Sequence, residues 1–353
     1  MTVSETLRHL DPGWIDRVLR ETGHSRSALR DLRVEPVTFT GATTDMARLQ
    51  MSYEGAGGGP SSMIAKVKGT KEVQLQIDQA VGLFGRESHV YGALADLLPV
   101  RMPICYHAGD GNDAPLLLED LGDLQMGDQA AGLGVDDAER ILESLADLHA
   151  KFWESAAVEE PWLLRHDGGL YPQLIKQLVG SGISALEKRH RGTVSDAVID
   201  AIVAAAPRWD DLVVAASQGP PTMVHNDCRL DNLFFTGDGD PVFIDWQVVS
   251  RTRGTQDVAN LLAGSMDPNV LDGEWQRLLT RYHERLVGNG VSGYSLEQAT
   301  EHYRQNVFFP LSAGIALIGS MDIGDGRGLG DIIVARCLRH IEAIDAIDTL
   351  VAR

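Results

Sequence analysis

The chain of 353 residues is long enough for two domains, or for two lobes of one catalytic unit, at about 150 residues per domain. Its composition, 44% hydrophobic and 23% charged, is ordinary for a globular protein and argues against a disordered, fibrous or membrane-embedded class. The formal net charge of −19 disfavours nucleic acid and anionic membrane surfaces as partners, because both are negatively charged.

The three cysteines, Cys105, Cys228 and Cys337, are far apart in the sequence. This spacing indicates neither a disulfide framework nor a thiolate metal cluster. The N-terminal segment contains acidic side chains and no long apolar stretch, and no later segment approaches the roughly 18 apolar residues of a membrane span. We therefore expect a cytoplasmic protein without a membrane or nucleic-acid partner. The sequence gives no indication of oligomeric state.

The first third of the chain predicts a sheet and one helix. Two strand-like runs, Met46–Tyr53 and Ser62–Val67, flank a glycine-rich connection and are expected to pair as a hairpin. A helix over Val73–Leu98 follows. Two further strands, Ile104–Ala108 and Pro115–Leu121, are separated by turn-forming residues.

After residue 128 the apolar pattern changes to the 3.6-residue period of helices. The first helix is expected to begin with a capping box formed by Asp136 and Glu139. Five further helices are predicted around a short β-hairpin: Leu174–Lys188, Val194–Ala216, Glu274–Val287, Leu296–Ile318 and Gly328–Val351. The sequence therefore predicts an α+β protein with two lobes. The small N-terminal antiparallel-sheet lobe, together with a helical segment that precedes the sheet, spans residues 1–120, and the larger, mainly helical C-terminal lobe spans residues 121–353.

The most informative motif leads into this β-hairpin. It reads H-x-D-x-x-x-x-N at His225, Asp227 and Asn232, and Asp245 follows at the end of the next strand. Phosphoryl transfer from a nucleotide needs a carboxylate near the attacking hydroxyl and oxygen ligands that hold magnesium against the phosphates. Asp227, Asn232 and Asp245 can supply both. The alternative is an acidic turn after a strand, because Asp and Asn are common turn formers.

Glu87 interrupts an apolar stripe on the predicted helix Val73–Leu98. A carboxylate in such a position needs a cation, because a buried charge without a partner is strongly destabilising. Lys66 on the preceding strand is the expected partner, and Lys68, two residues later, is the second candidate. The alternative is that Glu87 reaches solvent and Lys66 is a surface lysine of the strand.

These motifs resemble those of the aminoglycoside phosphotransferase and choline kinase group, which are relatives of the protein kinases. Within that group the chain most resembles the ecdysteroid-kinase-like phosphotransferases. The resemblance spans about residues 35–345 and rests on FGRESHVYGAL, LLLEDL, LADLHAKFWE, VHNDCRLDNLFF, and FIDWQ with GTQDVANLL. It implies a two-lobed, protein-kinase-like fold. Asn226 stands where the family usually has glycine, and asparagine tolerates the left-handed backbone better than most residues.

The resemblance implies a role for each residue of the catalytic motif. Asp227 would be the catalytic aspartate, and Asn232 and Asp245 would bind magnesium. His225 and Asp257 would support the catalytic loop. The alternative for Asp257 is an N-terminal helix aspartate that the helix dipole favours.

The nucleotide side of the site is expected in the first lobe. By resemblance, the Lys66–Glu87 pair places the lysine on the α and β phosphates of ATP. The loop that contains Gly41, Thr43 and Thr44 would cover the phosphates with its backbone N–H groups and hydroxyls, or would be only a hairpin. The backbone near Glu119, in LLLEDL, would hydrogen-bond adenine, or these acids would be ordinary solvated residues.

Three functions remain at this point. The first is an O-phosphotransferase that uses ATP and Mg²⁺ to phosphorylate a small-molecule hydroxyl, with Asp227 as the proton acceptor. A protein kinase is disfavoured, because only eleven residues separate Asp245 from Asp257 and no A-P-E signature follows. A nucleotide-binding scaffold without catalysis is disfavoured by the intact motif residues. The acceptor stays open between amine-bearing compounds, such as aminoglycosides, amino sugars or choline-like alcohols, and an apolar alcohol.

Overall fold

A computed structural model describes residues 4–37, 44–55, 58–109, 114–319 and 328–351. The chain forms two compact units. The first comprises Met1–Gln125 together with Phe243–Val248, and the second comprises Met126–Val242 and Val249–Arg353. The division predicted at residue 120 did not anticipate that Phe243–Val248 returns to the first unit.

The first unit is built on a five-stranded antiparallel sheet with the order β1-β2-β3-β5-β4. Its strands are β1 (Leu29–Pro36), β2 (Thr44–Tyr53), β3 (Ser62–Lys68), β4 (Cys105–His107) and β5 (Leu116–Glu119). Helices α1 (Glu5–Arg8) and α2 (Pro12–Glu21) precede the sheet, and α3 (Glu72–Val81) and α4 (Leu83–His89) follow β3. The predicted sheet is confirmed, and α1 and α2 form the helical segment that was predicted before it, whereas β1 was not predicted.

Strand β3 has one face in the core of the first unit. Met63, Ala65 and Val67 are buried in a cluster that also contains residues of α1 and α2. Successive side chains of a strand point to opposite faces of the sheet, so Lys66 lies on the other face. This alternation explains how a lysine can occupy the middle of a buried strand without entering the apolar core.

The predicted helix Val73–Leu98 is divided in two. Gly82 adopts the left-handed conformation, with φ of 63°, and ends the regular path of α3. The Asp78 carboxylate accepts the N–H of Phe84 at 2.8 Å and thereby satisfies one of the first free N–H groups of α4. After His89 the chain continues as a π-helical turn over Val90–Leu94.

The second unit is mainly helical. Its helices are α5 (Val135–Phe152), α6 (Leu170–His190), α7 (Asp196–Ala205), α8 (Trp209–Ala216), α9 (Thr255–Ser265), α10 (Pro268–Gly288), α11 (Leu296–Asn306), α12 (Phe308–Gly319), α13 (Leu329–Ala343) and α14 (Asp348–Val351). Every residue of α9 is buried. The polar side chains of Gln256, Asp257 and Asn260 on this helix therefore lie in the interior of the protein.

Two small sheets accompany these helices. Their strands are β6 (Gln125–Met126), β7 (Leu164–Arg165), β8 (Thr222–Val224), β9 (Leu233–Phe235), β10 (Pro241–Phe243) and β11 (Ser250–Thr252). One sheet has the order β10-β9-β6 and the other has the order β7-β11-β8. The predicted β-hairpin corresponds to β9 and β10, and the α+β class is confirmed.

Four helix predictions in the second unit need correction. The predicted helix Gly328–Val351 ends as α13 at Ala343 and resumes as α14 at Asp348. The capping box at Asp136 is absent, because α5 begins after Gly134 and Asp136 lies exposed in its first turn. Pro207 divides the predicted helix Val194–Ala216, since proline has no N–H to donate and clashes with the preceding turn. Pro310 has the same effect on Leu296–Ile318, which becomes α11 and α12. Within the described ranges, no helix has both the length and the apolar character needed to cross a membrane.

Candidate active site

A buried ion-pair cluster in the first unit joins three of the predicted site residues. The ammonium of Lys66 lies 2.8 Å from Oε1 and 2.7 Å from Oε2 of Glu87 on α4. It also lies 3.0 Å from Oδ1 of Asp245. The side chains of Lys66 and Glu87 are only 7% and 1% exposed. The predicted pairing of Lys66 with Glu87 is therefore confirmed, and the alternative of two surface side chains is wrong.

The charged side chains in this cluster shift each other's pKa. Burial alone would lower the pKa of Lys66, but the carboxylates of Asp245 and Glu87 outweigh this effect and raise it. Burial raises the pKa of Glu87 to about 7, although the ammonium of Lys66 opposes the shift. Lys66 is therefore held as a cation, which is the form that attracts phosphate.

The backbone around Asp245 is fixed by its neighbours in the first unit. Asp245 has a φ of 64°, an uncommon conformation for a residue with a side chain. Gln247 donates from Nε2 to Oδ2 of Asp245 at 3.0 Å, so both carboxylate oxygens have a partner. Arg86, next to Glu87 in the sequence, donates to the backbone oxygen of Gln247 at 3.1 Å. Sequence reasoning gave Gln247 no role, because the contact depends on the unusual turn at Asp245.

The other nucleotide-side predictions have mixed outcomes. Lys68, the second candidate partner for Glu87, instead lies 2.5 Å from Asp78. Thr44 begins β2 and is buried, and its hydroxyl has no hydrogen-bond partner among the described residues. Gly41 and Thr43 lie outside the described residues. The N–H of Glu119 donates to the oxygen of Ile104, so a contact with adenine needs another backbone group of this segment.

In the second unit, Asp257 on α9 fixes the backbone of the loop that begins at His225. Its Oδ2 accepts the N–H of His225 at 2.7 Å, and its Oδ1 accepts the N–H of Asn226 at 2.7 Å. Nε2 of His149 lies 3.3 Å from Oδ2 of the same carboxylate. His225 is fully buried, and its Nδ1 accepts the N–H of Asp227 at 3.3 Å. These contacts hold the backbone of residues 225–227 in place. The catalytic-loop role that the resemblance implies for His225 and Asp257 stays a prediction.

Asn226 takes the left-handed conformation, with φ of 69°, at the position where the family usually has glycine. Its side chain is buried. Nδ2 donates to the hydroxyl of Tyr171 at 3.1 Å, and Oδ1 accepts from Gln256. Its backbone oxygen accepts from Asn260 at 3.1 Å. Three polar side chains thus stabilise the turn immediately before Asp227, and none of them was identified from the sequence.

Asp227 itself is 33% exposed, although the loop around it is largely buried. Asn232 donates from Nδ2 to Oδ2 of Asp227 at 2.8 Å and to its backbone oxygen at 3.0 Å. With the amide nitrogen used in this way, the amide oxygen of Asn232 remains as an acceptor. An oxygen donor at this place fits the hard-cation chemistry of magnesium. Oδ1 of Asp227 lies 3.2 Å from Nε of Arg229.

Two buried histidines outside the motif, His149 and His166, pack against aromatic residues. His149 is fully buried and its Nδ1 lies 2.9 Å from the hydroxyl of Tyr282. His166 packs against the rings of Tyr171 and Phe309, with centroids 4.6 and 5.5 Å away. Burial lowers the pKa of His166 to about 3, so it is neutral at physiological pH.

Comparisons with known proteins identify the family and the fold of the chain. The model of the ecdysteroid kinase-like family matches residues 40–290 of the chain. Among curated protein sequences no match is found.

Solved structures show the same fold at low sequence identity. The choline kinase from Cryptosporidium parvum Iowa II has a TM-score of 0.53 at 10% identity, with 97% of each chain covered. The ethanolamine kinase of Plasmodium vivax has a TM-score of 0.52 at 14% identity and covers 88% of this chain and 82% of its own. The gentamicin complex of APH(2″)-IIa has a TM-score of 0.51 at 16% identity, with 94% and 99% covered. The predicted protein-kinase-like fold is therefore confirmed.

Proposed function

The chain belongs to the ecdysteroid kinase-like family, and from this premise we propose that it transfers the γ-phosphoryl group of ATP to a hydroxyl of a small molecule. The observation that carries the proposal is the combination of exposure and fixed orientation of the Asp227 carboxylate. Its carboxylate is one-third exposed, and both of its oxygens are oriented by side chains of the same loop. A carboxylate that is both accessible and fixed in direction suits a group that accepts a proton during reaction.

In the proposed reaction, Asp227 receives the proton of the acceptor hydroxyl. The hydroxyl oxygen forms a bond to the γ-phosphorus, and the bond between that phosphorus and the β–γ bridging oxygen breaks, so that ADP leaves. Lys66, held as a cation, binds the phosphates of ATP, and Glu87 fixes its direction. Asn232 and Asp245 would hold magnesium, which neutralises charge on the phosphates when it is bound.

The structure around Asp257 favours a small acceptor over a protein. The eleven residues that separate Asp245 from Asp257 include β11, which pairs with β8 and β7, and the start of α9. Much of this segment thus lies in regular secondary structure, whereas protein kinases bind peptides on a longer segment. The choline kinase and the ethanolamine kinase that share the fold carry small alcohols in their names.

The test measures ADP formation with a library of hydroxyl compounds and detects the phosphorylated product by mass. Asp227→Asn is the matched variant, because it removes the proton acceptor and keeps the size of the side chain. We expect turnover to fall by at least about 10²-fold, the lower bound for general-base catalysis, with ATP affinity nearly unchanged. Chelation of magnesium should also stop turnover. Equal turnover by Asp227→Asn would contradict the proposal.

A further inference from the structure

Arg229 lies two residues after Asp227 and contacts its carboxylate. Nε of Arg229 is 3.2 Å from Oδ1 of Asp227, and the two side chains are 24% and 33% exposed. The other carboxylate oxygen accepts from Asn232 at 2.8 Å. Nε of Arg229 also lies 3.5 Å from Oδ2, so Arg229 contacts both oxygens of the carboxylate and Asn232 contacts one of them. Together these contacts limit rotation of the Asp227 carboxylate.

Arg229 is itself anchored in the loop. Its Nη1 lies 3.5 Å from Oδ2 of Asp231, whose side chain is only 2% exposed. The other oxygen of Asp231 accepts the N–H of Gln129 at 3.1 Å, and Gln129 in turn accepts the N–H of Leu230 at 2.8 Å. A buried carboxylate in this network fixes the guanidinium between Asp231 and Asp227. Arginine suits this place because its planar group can bind two carboxylates in fixed directions.

We propose that Arg229 is a positioning residue, which sets the direction of the Asp227 carboxylate toward the acceptor hydroxyl. The inference rests on the proposed function, in which Asp227 accepts the hydroxyl proton. An aspartate side chain that is one-third exposed would otherwise sample several directions, and only some of them point at the acceptor. Catalysis is sensitive to such displacements, since an error of about 1 Å at the reacting group can cost about 10²-fold in rate.

The experiment compares steady-state kinetics of Arg229→Gln, Arg229→Lys and Arg229→Ala with the wild-type enzyme. Arg229→Gln should lower kcat by about 10-fold to 10²-fold and leave the KM for ATP unchanged, because the interaction acts on Asp227. Arg229→Lys should recover part of the loss through its charge. Added guanidinium should partly restore kcat of Arg229→Ala, which a general loss of folding would not allow. Arg281→Gln, which removes a surface ion pair with Glu143, is the matched control and should behave as wild type.

Each other result overturns the inference. Unchanged kcat in Arg229→Gln would show that the contact has no effect on the reaction. A raised KM for ATP with unchanged kcat would place Arg229 in nucleotide binding. Loss of activity in all three variants without rescue, together with a lower melting temperature, would show a purely structural role.

A crystal structure of Arg229→Gln separates this inference from the proposed function. The carboxylate of Asp227 should leave its wild-type direction or become disordered in the variant. If it keeps the same direction and order, the positioning role is wrong, whatever the activity. If the wild-type enzyme phosphorylates no small hydroxyl compound, the proposed function fails and the catalytic role of Arg229 fails with it.

Discussion

Lys66 is one cation placed between two carboxylates in a buried part of the first unit. Glu87 and Asp245 both lie within 3.0 Å of its ammonium, and all three side chains are at most 16% exposed. Removing the lysine would leave two negative charges close together in a poorly solvated place. Such an arrangement is destabilising, typically by about 3–5 kcal/mol for a buried ion pair that loses one partner.

At the residue scale we predict that Lys66 and Glu87 act as one unit in catalysis. Lys66→Met and Glu87→Gln should each lower kcat/KM, and the double variant should be little worse than the worse single variant. The expected coupling free energy is about 1–3 kcal/mol, as for side chains in direct contact. A double-mutant cycle on kcat/KM measures it.

Lys68→Met provides the control for this cycle, because its ammonium contacts Asp78 and not Glu87. Its combination with Glu87→Gln should be additive within about 0.5 kcal/mol. Additivity of the Lys66 cycle would mean that the observed ion pair has no part in turnover.

The single residues of the site differ in how far the sequence could predict them. The Lys66–Glu87 pair followed from a charge within an apolar stripe, which is a signal that helical periodicity reveals. The contacts of Asn226 and Gln247 depend on left-handed turns at Asn226 and Asp245. No local pattern encodes which distant side chain, such as Tyr171, then meets these turns.

At the scale of elements, α9 supports the loop that contains Asp227. The helix is buried along its whole length, and Asp257 in its first turn accepts two backbone N–H groups of the loop. Hydrogen bonds to a charged group are worth about 1.5–3 kcal/mol each, which is more than a helix-dipole contribution of about 0.3–1 kcal/mol. The loop contacts, and not the dipole, therefore dominate the role of Asp257.

We predict that Asp257→Asn lowers the free energy of unfolding by about 3 kcal/mol and also lowers kcat, because an amide can accept only one of the two N–H groups without charge assistance. Asp136→Asn is the matched control, since Asp136 also lies in the first turn of a helix but is exposed. It should stay within about 1 kcal/mol of wild type. Urea unfolding and steady-state kinetics measure both variants. Equal effects of the two substitutions would favour the dipole explanation.

The boundaries of elements were less predictable than their type. The helical periods of the second unit predicted most of its helices. The breaks at Pro207 and Pro310 were missed, because the apolar period does not show that proline lacks the N–H needed to continue a helix. The predicted capping box shows the opposite error, in which the pattern indicates a helix start that the structure does not have. Asp136 has suitable chemistry for a cap, yet the cap residue of the helix is Gly134, two residues earlier.

At the scale of the whole molecule, the extent of each of the two units was only partly predictable. The sheet-rich first third and the helical remainder followed from their apolar periods. The return of Phe243–Val248 to the first unit did not, because it depends on long-range packing. Asp245 belongs to this returning segment, so its contact with Lys66, 179 residues earlier, came only from the structure.

The last prediction concerns the acceptor, which we expect to be a small hydroxyl compound and not a serine or threonine of a protein. The chain between Asp245 and Asp257 forms β11, between β7 and β8, and leaves little free backbone for peptide docking. A screen with radiolabelled ATP should therefore label small alcohols and leave proteins and peptides unlabelled. Efficient labelling of peptides without competition by small alcohols would contradict this expectation.

The net charge of −19 adds a second measurement of the acceptor, because salt screens long-range attraction. The KM of a cationic acceptor should rise with ionic strength, whereas that of a neutral acceptor of similar size should not.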